Sequence, residues 1–185
     1  PGLHNAYNAL AAVTVGLTFQ VPAKKIMEAL SAFVSASKRM QVLKLNGITV
    51  LNDTYNSNPD STLAALRVLE GVRASGKKVA VLADMLELGS KAADEHRRIG
   101  QLVAKSGARY LLTYGNLSQQ THDAATTVFK EHFEQKDALS EHLAELLARG
   151  DVVLVKGSRG MKMEDVVAFL VERFKPSQNT PDRAA

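Results

Sequence analysis

The side chains best able to do chemistry gather in three short segments, each placed directly after an apolar run. The first, Asn52-Asp53-Thr54-Tyr55-Asn56-Ser57-Asn58-Pro59-Asp60-Ser61, follows Ile48 to Leu51 and is dense in hydrogen-bonding groups. A carboxylate just past a strand, as Asp53 would be, can accept from both hydroxyls of a ribose. It can equally serve as a turn former. Asp60 or Ser61 reads as the N-cap of the helix that follows. The second segment, Ala83-Asp84-Met85-Leu86-Glu87-Leu88-Gly89-Ser90, sets two carboxylates beside the same expected crevice, and Asp84 stands immediately past its strand. The plainer alternative is a loop in which Gly89 supplies a positive φ and Ser90 caps the next helix. The third, Lys156-Gly157-Ser158-Arg159-Gly160, follows Val152 to Val155. Backbone N–H groups, a helix dipole and the two cations Lys156 and Arg159 would converge there on a carboxylate or phosphate. The alternative is a glycine-mediated turn with solvated charges.

Other chemistries find no support. No G-x-x-x-x-G-K-[ST] and no G-x-G-x-x-G occurs, so neither the phosphate-cradling loop nor the dinucleotide fingerprint is in these residues. The histidines His4, His96, His122, His132 and His142 lack metal-ligand spacing and read as surface or local packing residues. No Ser/His/Asp arrangement is suggested. With no cysteine, disulfides and thiolate metal sites are excluded.

The elements that must position these loops follow from hydrophobic period. From Met40 onward, short β-branched runs alternate with helical stretches, which predicts a doubly wound, Rossmann-like α/β fold: a mostly parallel sheet with helices on both faces and ligands outside the C-terminal strand ends. Val42 to Leu45 and Ile48 to Leu51 read as a hairpin around Asn46-Gly47. Strands are predicted at Lys78 to Leu82, Tyr110 to Thr113 and Val152 to Val155. Helices are predicted at Ser61 to Arg73, Ala92 to Ser106, Ser118 to Phe129, Ala138 to Arg149 and Met163 to Phe174. Before all of these, Asn5 to Leu17 and Ala23 to Phe33 read as two helices, with Pro22 well placed at a helix start. A helix pair this small cannot bury its own apolar face, so it is expected to pack on other structure, within this chain or in a domain missing from a truncated one.

Composition narrows the classes. The 185 residues are 45% hydrophobic, enough for one buried domain and an appendage. No apolar run reaches the roughly 20 residues that span a bilayer, and no membrane or secretory segment is expected. The 23 basic residues are scattered among 19 acidic ones, for a net charge of +4, so nucleic acid is not an expected partner, whereas small anions are.

Taken in order, Gly2-Leu3-His4-Asn5-Ala6-Tyr7-Asn8-Ala9-Leu10, then Arg39, then Asn52 to Pro59, then Asp84-Met85-Leu86-Glu87-Leu88-Gly89, then Lys156-Gly157-Ser158-Arg159 resemble the Mur ligase family, along nearly the whole chain to about Phe174. The resemblance implies a three-domain enzyme. On that map residues 1–38 are the last helices of a truncated central ATP-binding domain, 39–175 the C-terminal Rossmann-like domain, and 176–185 a disordered tail. The Tyr-Asn-rich loop and the Asp-Met-x-Glu-Leu-Gly run resemble those members that add D-alanyl-D-alanine to UDP-N-acetylmuramoyl-tripeptide in peptidoglycan precursor synthesis. The reaction so implied uses ATP and Mg2+ to make an acyl phosphate, which the dipeptide amine attacks. Asn5 and Asn8 would hold adenine, Arg39 the phosphates and Asp53 the ribose. Asn56, Ser57, Asn58, Ser158 and Arg159 would receive the dipeptide carboxylate, with Asp84 beside them. Asn5 and Asn8 stand three apart on one helical face, and an amide can both give to and accept from a purine edge. The phosphate loop and magnesium ligands of the family lie upstream of these residues, so no catalytic residue is assigned here and the chain alone is expected to be inactive. A cytoplasmic monomer is the expectation. A sibling ligase, of Mur or folylpolyglutamate type, and a non-catalytic nucleotide-binding module remain alternatives.

Overall fold

The short apolar runs become one six-stranded sheet in the computed structural model, which describes residues 3–33, 38–126 and 129–175. The strands are β1 (Gln41–Leu45), β2 (Ile48–Asp53), β3 (Lys78–Ala83), β4 (Tyr110–Tyr114), β5 (Phe129–Phe133) and β6 (Val152–Lys156), in the spatial order β1-β2-β6-β3-β4-β5. Only β1 runs antiparallel to its neighbour. Its hairpin turns through Asn46 at φ 45° and Gly47 at φ 85°. Two successive positive φ values match the twist of the flanking strands, which explains the Asn-Gly pair.

Parallel neighbours need crossovers, and helices supply them. They are α3 (Pro59–Gly71), α4 (Ala92–Val103), α5 (Gln119–Ala124), α6 (Lys136–Leu146) and α7 (Glu164–Arg173), after α1 (Leu3–Thr18) and α2 (Ala23–Ser31). Side chains alternate across each strand, so one run feeds two cores. Val50, Val81, Val153 and Val155 pack with Leu139 and Leu143 of α6 and with Val166 and Leu170 of α7. Leu51, Ala80, Leu82 and Leu154 pack on the other face with Leu66 and Leu69 of α3 and with Ile99 and Val103 of α4. Because β3 and β6 are covered on both faces, they read as continuous apolar runs rather than alternating ones.

Several boundaries depart from expectation. The helix expected over Ser118 to Phe129 stops at Ala124, and Phe129–Phe133 forms β5 on the sheet edge. Its sequence, Phe-Lys-Glu-His-Phe, buries only the final Phe133, so the burial pattern of an interior strand is missing. Only pairing with β4 reveals it. The cap of α3 is Asn58, not Asp60 or Ser61. Pro59 takes the first helical position, where its missing N–H costs nothing, and the helix therefore begins earlier. Gly89 does take a positive φ, 55°, but Ser90 sits inside a 3-10 turn and α4 has no side-chain cap. The expected tail, 176–185, lies outside the described residues. Helices α1 and α2 pack on each other and leave Tyr7, Leu10, Phe19, Met27 and Phe33 exposed.

Candidate functional site

Neighbouring strand ends send the chain to opposite faces of the sheet. After β2 it runs to α3 and after β3 to α4, both on one face, whereas after the intervening β6 it runs to α7 on the other. Loops that diverge this way leave a crevice at the C-terminal strand ends. All three chemistry-rich segments line it.

Asp53 and Lys156 end β2 and β6 as register partners. The Lys156 side chain is 2% exposed; its ammonium donates to Asp53 Oδ2 at 2.6 Å and to the Asn56 carbonyl at 2.9 Å. Asp53 Oδ1 accepts from the Met40 N–H at 2.9 Å. Burial pushes the Lys156 ammonium below the ordinary lysine value, opposed by the Asp53 charge and hydrogen bond and abetted by Arg39. Next along the loop, the Tyr55 ring carries the Arg39 guanidinium 3.9 Å from its centroid and the Arg159 guanidinium 5.2 Å from it.

The crevice walls are tied by polar side chains turned inward. Ser158 Oγ donates to the Ser57 carbonyl at 3.1 Å and accepts from the Leu86 N–H at 2.9 Å. The Ser158 N–H donates to the Asp84 carbonyl at 3.0 Å. Asp84 Oδ1 accepts from the Ser118 N–H at 2.7 Å, so this carboxylate links the loops after β3 and β4. Ser57 Oγ shares a hydrogen bond with Thr62 at 2.9 Å. Asn58 Oδ1 accepts from the Ser61 N–H at 2.8 Å, and Ser61 Oγ accepts in return from the Asn58 N–H at 3.1 Å, a full capping box.

The residues expected to bind substrate thus divide by geometry. Asn56 and Arg159 are exposed at the rim, and Asn58 is exposed but engaged as a helix cap. Ser57, Asp84 and Ser158 are buried and bonded to the facing loops, because a polar group taken out of water must find a partner. Lys156, read from the sequence as one of two anion-holding cations, is committed to Asp53 instead. Arg39 and Asp53 meet in the crevice through Met40 and Tyr55. Asn8 lies exposed on α1, one turn from Asn5.

Two residues at the entrance were not singled out by sequence. Tyr55 is one, visible only as part of a polar loop. Lys38 is the other. It holds a left-handed φ of 66°, and its ammonium bonds Glu164 Oε1, at the start of α7, at 3.0 Å. Burial raises the Glu164 carboxyl, but its own backbone N–H and Lys38 outweigh that and hold it below the usual glutamate range. Among the described residues no group of three or more His, Cys, Asp or Glu is arranged to hold a metal ion. No helix among them is long and apolar enough to cross a membrane.

The fold and the site define a doubly wound α/β domain with a crevice at its strand ends that is lined with cations and amides. The family described as "Mur ligase, glutamate ligase domain" matches residues 38–159, and the chain belongs to the Mur ligase family. It is 34% identical over 176 residues to the UDP-N-acetylmuramoyl-tripeptide–D-alanyl-D-alanine ligase of Bacillus subtilis, covering 92% of this chain and 38% of that enzyme. Its fold superposes on a crystal structure of MurF from Acinetobacter baumannii with a TM-score of 0.83 and 29% identity, covering 92% of this chain and 38% of that one. A MurF ligase from Thermotoga maritima, in complex with ADP, shares the fold at a TM-score of 0.76 and 22% identity, covering 88% of this chain and 36% of that one. The chain therefore spans well under half the length of the relatives it matches.

Proposed function

We propose that this chain is the C-terminal part of an ATP-dependent ligase that adds D-alanyl-D-alanine to UDP-N-acetylmuramoyl-tripeptide. The observation that carries the reading is similarity along 92% of the chain to an enzyme of that name, with the cationic crevice formed by the segments that carry the resemblance. Asp53 suits a ribose. Each of its oxygens already accepts one hydrogen bond, one from the Met40 N–H and one from Lys156, and has a lone pair left for a hydroxyl. Arg39, next to it, supplies positive charge for the phosphates. ATP, when bound, supplies the phosphoryl group that activates the tripeptide carboxylate, with Mg2+ held by residues outside this chain.

What these residues contribute is alignment and charge neutralisation. Arg159 can meet the dipeptide carboxylate with two parallel N–H donors, and the Asn56 amide adds a third donor from the facing loop. The carboxylate so held sets where the dipeptide's amine points. Asp84, Ser57, Ser158 and Lys156 touch no ligand in this reading; they keep the walls at a fixed separation. Asn58 serves the same end by starting α3.

The test uses the full-length protein proposed to contain this chain. Asp53→Ala is expected to raise KM for ATP, and Arg159→Ala to raise KM for D-alanyl-D-alanine by about tenfold or more, the loss of a charge-assisted hydrogen bond. Unchanged KM values in both variants would overturn the assignment. These 185 residues alone are expected to show no ATP hydrolysis, and turnover by them would overturn the division of labour.

A further inference from the structure

We propose that Tyr55 is a positioning residue that sets Arg39 and Arg159 relative to one another, so that a single ring links the nucleotide end and the dipeptide end of the crevice. The inference rests on the reading above for what each arginine binds. It adds a role for a residue that contacts neither ligand in that reading.

Three observations support it. Arg39 precedes β1 and Arg159 follows β6, so two segments far apart in the chain bring like charges to one place, 3.9 and 5.2 Å from the same ring centroid. An aromatic face attracts each guanidinium and so favours an arrangement that their mutual repulsion opposes. The ring's backbone is fixed on both sides. The Tyr55 N–H donates to the Lys38 carbonyl, one residue before Arg39, at 3.0 Å, and the neighbouring Asn56 carbonyl accepts from the buried Lys156 at 2.9 Å. Finally, Tyr55 is 37% exposed and belongs to neither core cluster, so the ring is not needed to fill the interior.

A ring anchored in this way and carrying both guanidinium groups acts as a spacer. When ATP draws Arg39 toward its phosphates, the ring either follows or loses its contact, and Arg159 feels the change. Occupancy of one end should therefore alter affinity at the other.

The experiment compares Tyr55→Leu with Tyr55→Phe in the full-length enzyme, alongside Arg39→Ala and Arg159→Ala. Tyr55→Leu is expected to raise KM for ATP and for D-alanyl-D-alanine together, each by about three- to tenfold, the size of one lost ring–cation contact. Tyr55→Phe keeps the π-face and is expected to recover most of both losses. In the Tyr55→Leu background, Arg159→Ala should cost less than it does alone, because the ring no longer presents the guanidinium. If the arginine variants leave both KM values unmoved, the underlying site assignment fails. If they act as assigned while Tyr55→Leu shifts neither KM, or only one, the inference is overturned. Equal damage from Phe and Leu would also overturn it, since that would make the hydroxyl the working group.

Discussion

Lys156 Nζ lies 2.6 Å from Asp53 Oδ2, at partnered positions where two adjacent parallel strands end together. The pair places a nearly buried ammonium under the crevice floor and an aspartate at its rim. It also changes which cation is available for anionic ligands. The positive charge of the Lys156-Gly157-Ser158-Arg159 turn is divided, the lysine facing protein and the arginine facing solvent.

Removing the ammonium should be costly. Lys156→Met leaves Asp53 with an uncompensated charge in a largely buried site, and we expect a loss of about 3 kcal/mol in urea denaturation. The double variant Asp53→Asn/Lys156→Met should recover part of it, since both charges are then gone. No recovery would mean that the bond to the Asn56 carbonyl, not the ion pair, accounts for the loss. The pH dependence has a definite sign. With the folded-state pKa of Lys156 below the ordinary value of about 10.4, the unfolded chain binds more protons between the two, so stability attributable to this group rises with pH across that window. Lys156→Met should lack that rise.

Asn58 distinguishes capping from substrate contact. Asn58→Ala is expected to destabilise the domain by about 1 kcal/mol, and Asn58→Asp to be nearly neutral, because aspartate caps as well as asparagine. If Asn58 instead grips the dipeptide carboxylate, the new negative charge in Asn58→Asp would raise KM for D-alanyl-D-alanine while stability stayed level. Steady-state kinetics on the full-length enzyme, beside thermal melts, separate the two.

Gly115 protects the Asp84 tie. Its φ is 106°, and a Cβ there would fall 2.6 Å from Asp84 Oδ1 and 2.6 Å from Met161 Cε. Gly115→Ala should cost about 2 kcal/mol or more through backbone strain and crowding. It should also weaken the Ser118 N–H bond to Asp84, which amide hydrogen exchange would register as faster exchange at Ser118. Wild-type protection at that amide would contradict the assigned role of Asp84.

The Lys38–Glu164 bridge should respond to acid. Glu164 has a folded-state pKa below its unfolded value, so its contribution is present above the unfolded value of about 4.3 and is lost as pH falls through the folded one. Glu164→Gln should therefore be less stable than the parent at neutral pH, by about 0.5 kcal/mol for a pair this exposed, and equal to it in stronger acid. A gap that persists at low pH would point to packing of the side chain in place of its charge.

Periodicity in the chain was enough to lay out the layers. The runs at Lys78 to Leu82 and Val152 to Val155 become central strands because a strand covered on both faces needs apolar residues on both, and no other element of that length does. Asn46-Gly47 turns where its backbone freedom requires. The polar loops sit at strand ends because their groups cannot be buried unpaired. These are local or one-dimensional constraints, and residue order carries them.

What only the tertiary structure decided was the sheet order and the direction each polar side chain faces. β6 inserts between β2 and β3, and that insertion alone makes Lys156 the partner of Asp53 across 103 positions of chain. The edge strand β5 exists because β4 offers a free row of backbone groups, which its own half-polar sequence does not reveal. In the same way Ser57, Asp84 and Ser158, expected from the resemblance to line the substrate pocket, are buried and bonded to partners that the fold supplies. Hydrogen-bond satisfaction depends on what lies across a gap of about 3 Å, and that neighbour is set by the whole fold and not by adjacent sequence.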